Sequence, residues 1–193
     1  MGSGVPTCGF LVDPDGQRGL ELAAWTVVES WGAALFGDPC HACGFDWSLT
    51  PEQAIAVIAD APEVFERATA GVDGDARQGG WSVAEYTSHV ADNLRQWSER
   101  VQAARVAGQT TVAGYDPDQL AIARNYAAIP LSVALWSLHH SATAWVDVLS
   151  GAVAQEVVLW HATRGRQRAQ DVARNNAHDA MHHLWDIQRI TGR

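Results

Sequence analysis

The sequence predicts an all-α fold: a bundle of four long helices preceded by an irregular N-terminal extension. Three observations carry this prediction. Thr50 and Ser82 open two well-marked helices, apolar residues recur at spacings of three and four, and no run of alternating strand residues stands out. A length of 193 residues suits one domain able to bury a core without disulfide staples. The expected division is an extension with a cysteine pair over 1–49 and the helical bundle over 50–193.

Residues 1–49 are rich in Gly and Pro, which predicts loops with one short helix near Leu20 to Ala34. At Thr50 the pattern turns helical. Thr50 suits the N-cap, Pro51 the first helical position, and Gln53 stands at capping-box distance. Ile55, Ile58, Val64 and Phe65 share a face, and Pro62 is expected to kink or restart the helix before a Gly- and Asp-rich turn from Gly71 to Gly80. The second helix opens on the capping box Ser82-x-x-Glu85, with Trp81 just before it. Its stripe is Tyr86, Val90, Leu94, Trp97 and Val101, and it stops near Gly108. A third helical region starts at Asp116-Pro117, runs to Tyr126, breaks at Pro130 and continues from Leu131 to Leu149. A short apolar stretch from Val157 to Trp160 leads to a turn at Gly165. The last helix covers about Arg168 to Ile190, with Val172, Ala177, Met181, Leu184, Trp185 and Ile187 as apolar positions.

Composition narrows the function. A net charge of -9 argues against a nucleic-acid partner, which needs a basic face. Every basic residue is Arg. The run Arg164, Arg166, Arg168 and Arg174 reads as a solvated helix start, with a local anionic ligand as the alternative. No secretory signal pattern and no apolar stretch long enough for a bilayer is present, so the expectation is a cytoplasmic protein without a membrane partner. Three cysteines, Cys8, Cys40 and Cys43, read as thiols or metal ligands rather than a disulfide framework.

The histidines carry the chemical argument. His178 and His182 stand four apart on the last helix, which stacks both imidazoles on one face where they can grip one metal ion. His89, at the edge of the second helix's apolar stripe, is the expected third ligand. Three protein ligands leave an open position, the arrangement of catalytic sites, where a bound water or thiol is activated. Asp92, Asp186 and Glu85 are candidate carboxylates behind the ligands, while Asp179 reads as an ordinary surface residue. His183 projects about 100° away from His182 round the helix and is its chief rival if the register differs. His139 and His140, beside Trp136, read as packing or hydrogen-bonding residues, and nothing specifies a role for His161.

Trp81-Ser82-x-x-Glu85-Tyr86-x-x-His89-x-x-Asp92 resembles the second-helix motif of the DinB-like superfamily, which includes mycothiol-dependent maleylpyruvate isomerase-like proteins. His178-Asp-Ala-Met-His182-His183-Leu-Trp-Asp186 resembles that superfamily's last-helix motif, and the resemblance covers roughly Thr50 to Arg193. Cys40-His-Ala-Cys43-Gly-Phe-Asp46 also looks like an opening found in some members. The resemblance implies a four-helix bundle, a zinc or nickel ion on the three histidines, a low-molecular-weight thiol as cosubstrate, a small-molecule electrophile, and often a homodimer. The expected function is thus a metal-dependent thiol S-transferase or isomerase. Alternatives are a metal-dependent hydrolase or a non-catalytic, stress-related metal-binding module. A thiol route predicts a cationic pocket for the thiol cofactor's carboxylate, with Arg95, Arg124 or Arg164 to supply it. Cys40-x-x-Cys43 is half of a zinc-ribbon spacing, which Cys8 and His41 would have to complete, and buried thiols under a loop are the default reading.

Overall fold

A computed structural model describes residues 32–193. Six helices follow one another: α1 (Ala33–Phe36), α2 (Pro51–Thr69), α3 (Val83–Ala107), α4 (Pro117–Ala123), α5 (Leu131–Ala154) and α6 (Ala169–Thr191). Cys8 and most of the short helix expected near Leu20 to Ala34 lie outside the described residues; α1 coincides with its end. No helix among the described residues is long and apolar enough to cross a membrane.

The local signals act as their chemistry requires. Thr50 accepts from the Gln53 N–H while the Gln53 side chain accepts from the Thr50 N–H, and Ser82 and Glu85 make the same reciprocal pair. Asp116 caps α4 through the N–H groups of Asp118 and Gln119, and Gly108 closes α3 with a left-handed backbone at φ 65°. Pro62 does not interrupt α2, which runs unbroken from Pro51 to Thr69. Packing on α5 and α6 along its length outweighs the one backbone hydrogen bond that proline forgoes.

The bundle order departs from chain order. α2 packs on α5 and α6, and α3 packs on the same two helices, so the consecutive long helices α2 and α3 lie across the bundle from each other. The core between them holds Ile58, Phe65, Leu94, Leu138, Trp145, Leu149 and Ile187, all nearly inaccessible. Trp145 donates its indole N–H to Asn176 Oδ1 at 2.9 Å, which satisfies the buried indole.

The all-helical expectation needs one amendment. Thr111–Val112 (β1), Val158–His161 (β2) and Gly165–Arg168 (β3) form a small sheet, β1 parallel and β3 antiparallel to β2. The apolar stretch before Gly165 is therefore the first strand of a hairpin. That hairpin holds His161 and Arg164 at the end of the bundle where α3 and α6 converge.

Ser82→Ala removes the α3 cap and is expected to lower the unfolding free energy by about 1 kcal/mol, read as a lower urea midpoint at unchanged slope.

Candidate metal centre

α3 and α6 present facing side chains over one short stretch. His89 projects from the second turn of α3, and α6 answers with Asp179 and His183, one turn apart on the same face. One ligand atom from each of these three residues lies within 4.8 Å of the other two. Asp179 Oδ1 stands 3.7 Å from His89 Nε2 and 3.7 Å from His183 Nε2. These separations are too long for hydrogen bonds. They match donor atoms that share one ion, which sit about 3.4 Å apart in tetrahedral geometry with bonds of about 2.0–2.2 Å.

The surrounding hydrogen bonds set the donors. Asp186 accepts from His183 Nδ1–H at 3.0 Å, which fixes the tautomer and leaves the His183 Nε2 lone pair facing Asp179. A lone pair and a carboxylate oxygen face each other stably only with a cation between them, a proton or a metal ion. Asn93 donates to the other Asp179 oxygen at 2.7 Å, orienting the carboxylate. His89 Nδ1 is buried with no partner, and the Trp81 ring packs on the same imidazole at 4.9 Å. Burial by itself would raise the Asp179 carboxyl, yet the imidazoles of His89 and His183 and the Asn93 amide hold it well below the usual carboxylate range. For His183, burial works against the proton, and the two carboxylates, Asp186 first, outweigh it and raise the imidazole.

The three histidines expected from the sequence do not converge. His89 stands with Asp179 and His183, whereas His178 and His182 stand with Cys40 and Cys43. The cause is helical register: the pairs 178/182 and 179/183 share the same spacing and differ by one residue, about 100° of rotation. Asp179, read as a surface residue, is the carboxylate at the middle of the cluster. Of the candidate supporting carboxylates, Asp186 does back a histidine, although that histidine is His183. Asp92 instead accepts from Tyr126 Oη at 2.7 Å and pairs with Arg95 and Arg124, and Glu85 is held in the helix cap and by Arg77 at 3.3 Å. Arg95 and Arg124, candidate anion binders, are thereby committed to Asp92. His139 and His140 lie exposed on α5, with His140 against Trp136.

The cluster forms one wall of a cavity of about 270 Å³. Arg100, Tyr115, His161 and Arg164 line the opposite side. The Arg100 guanidinium lies over the rings of Trp97 at 5.2 Å and Tyr115 at 5.4 Å. Nη1 of Arg100 and Nη1 of Arg164 are buried without a hydrogen-bond acceptor, and burial pulls both guanidiniums below their ordinary value. A buried N–H without an acceptor is costly, and an anion entering the cavity relieves that cost. The sequence marked Arg164 and left Arg100 and His161 unassigned; the hairpin that carries His161 and Arg164 here was the missed element.

No protein-family model matches this chain, and no curated protein matches it in sequence. Among solved structures it is similar to YfiT from Bacillus subtilis, described as "a probable metal-dependent hydrolase with an unusual four-helix bundle topology". The match has 20% identity and a TM-score of 0.66, and covers 76% of this chain and 90% of that one. The likeness shows the fold, a four-helix bundle, which is the fold the two motifs imply.

His161 yields a pH prediction. Burial, then the charges of Arg164 and Arg100, push it down to about 4 from 6.5, and its Nδ1 accepts the N–H groups of Thr163 and Arg164, both at 3.3 Å. The unfolded chain takes up this proton first as pH falls. The stability is therefore present above about pH 6.5 and is lost towards pH 4. Urea midpoints of metal-free protein are expected to drop across that window, and His161→Gln to reduce the drop.

Proposed function

We propose that this chain is a metal-dependent enzyme centred on His89, Asp179 and His183, acting on a small anionic substrate. The observation that carries this reading is the placement of a three-donor cluster in the lining of a cavity that Arg100 and Arg164 also line, each with a buried Nη1 that has no hydrogen-bond acceptor. Two imidazoles and a carboxylate suit a divalent transition ion such as zinc or nickel, and three protein donors leave positions open. Bound there, the ion would supply Lewis-acid activation of a small nucleophile.

The chain's own residues perform the remaining tasks. Arg100 and Arg164 bind the anionic group and turn the reactive end of the substrate towards the cluster. Asp186 keeps His183 in the tautomer whose Nε2 faces the centre. His161 accepts through Nδ1, so its proton sits on Nε2 and is available as a hydrogen-bond donor beside the cavity. Trp81 and Trp97 limit water in the cavity.

The motif resemblance favours a low-molecular-weight thiol as the nucleophile, and thus S-transfer or isomerisation of a small electrophile. The printed description of YfiT favours water, and thus hydrolysis. Assays of metal-loaded protein separate the two. Thiol-dependent conversion of an anionic electrophile such as an unsaturated dicarboxylate supports transfer; metal-dependent acid release from small carboxylated esters without added thiol supports hydrolysis. Absence of both, with metal bound, leaves a metal-binding module. His183→Ala is expected to abolish metal binding at this centre together with activity. Arg164→Ala should raise KM about tenfold or more with a smaller change in kcat, because it removes ground-state binding. Asp186→Asn is expected to weaken metal affinity about 10- to 100-fold, measured by competition with a chelator.

A further inference from the structure

A second group of ligating side chains lies on the neighbouring face of α6. After α1 the chain turns back so that Cys40, Phe45 and Trp47 pack on that helix. Cys40 and Cys43 there meet His178 and His182, with one donor atom from each of the four within 4.8 Å of all the others. Cys40 Sγ stands 3.7 Å from His182 Nδ1. A sulfur and a nitrogen bound to one tetrahedral zinc ion, at about 2.3 and 2.0–2.1 Å, lie about 3.6 Å apart.

Three further observations point to a bound ion. His178 is 3% exposed and its Nε2 has no hydrogen-bond partner, so a buried polar atom faces this group uncompensated. The two cysteines are not joined in a disulfide, and one tight turn carries both. Gly44 takes a left-handed backbone at φ 74° and donates its N–H to the Cys40 carbonyl at 2.8 Å, which closes the turn that brings Cys40 and Cys43 together. Finally, the rings of Phe36, Phe45 and Trp47 surround His178 with centroids at 4.5, 5.4 and 4.5 Å, which keeps the site dry. His41, between the cysteines, is exposed and stands outside the group.

We propose that Cys40, Cys43, His178 and His182 form a closed, four-ligand zinc site that staples the segment around residues 36–47 to α6. Four protein donors leave no open position, so this site is structural, and its binding energy contributes directly to docking that segment. It is separate from the cluster of His89, Asp179 and His183 and does not depend on any activity there. The two sites share only α6, where His182 and His183 are sequence neighbours with ring centroids 5.9 Å apart.

The test uses the untagged full chain, reduced, stripped of metal and titrated with cobalt(II), whose absorption reports thiolate coordination and tetrahedral geometry. The wild type is expected to show a thiolate-to-cobalt charge-transfer band with strong visible bands, displaced by one equivalent of zinc. Cys43→Ser should remove about half or more of the charge-transfer band, and His182→Ala should weaken cobalt binding about tenfold or more. His89→Ala, His41→Ala and Cys8→Ser should each retain the band. A reduced wild type that takes up cobalt without a charge-transfer band overturns the proposal, as does a band lost in Cys8→Ser or His41→Ala. The wild-type spectrum decides the matter even if a cysteine variant fails to fold.

Discussion

The rotation of α6 about its own axis is the constraint on which the rest of this structure depends. Four consecutive-register residues, His178, Asp179, His182 and His183, make two ligand pairs of identical spacing offset by one position. Which pair faces α3 and which faces the N-terminal segment is fixed by what α6 buries. Val172, Ala173, Ala177, Ala180, Leu184 and Ile187 are almost wholly inaccessible, and small residues among them let α6 sit close to its neighbours. That apolar stripe points Asp179 and His183 at His89 and leaves His178 and His182 under Cys40 and Cys43. Turning the helix by one residue would bring His178 and His182 to His89, carry Asp179 and His183 away from it, and bury the wrong side chains throughout the helix's length.

Electrostatics at the end of the bundle follow from the same placement. The chain carries a net charge of -9, yet the cavity beside the cluster is lined by Arg100 and Arg164. At physiological ionic strength distant surface charges are screened beyond about 8 Å, so a small anion entering the cavity responds chiefly to these two guanidiniums and to the centre itself. The other nearby acid, Asp92, is neutralised by Arg95 and Arg124 and tied to Tyr126, which removes one negative charge from the field of the cavity. Buried guanidinium N–H groups left without acceptors work against stability and recur where a ligand is to be met.

The N-terminal segment has a structural part as well as a sequence oddity. Cys40 and Phe45 belong to the buried core, and Trp47 packs on it, so residues after α1 complete the α6 side of the bundle. Little regular structure holds this stretch: α1 has four residues and the chain from Gly37 to Leu49 is turns. A segment of that kind is anchored by side chains, and the cysteine turn against two histidines is the strongest such anchor here.

The sequence by itself determined the helices and their ends, because capping boxes, proline at the first turn and left-handed glycine act over three or four residues. Thr50 with Gln53, Ser82 with Glu85, Asp116 and Gly108 all behave in the fold as their local chemistry dictates. It also marked His89 and the histidine-rich stretch of the last helix, which the fold places in two groups of side chains able to hold a metal ion. Tertiary structure alone decided the partners. Spacing of four is degenerate, so 178/182 and 179/183 cannot be told apart until the core fixes the helix's rotation. Cys-x-x-Cys brings two thiols together and is silent about their neighbours, His178 and His182, which arrive from a helix more than a hundred residues away. The hairpin bearing His161 and Arg164 was hidden for a related reason: strands of four residues carry too few side chains to show a period, and their pairing is a long-range event.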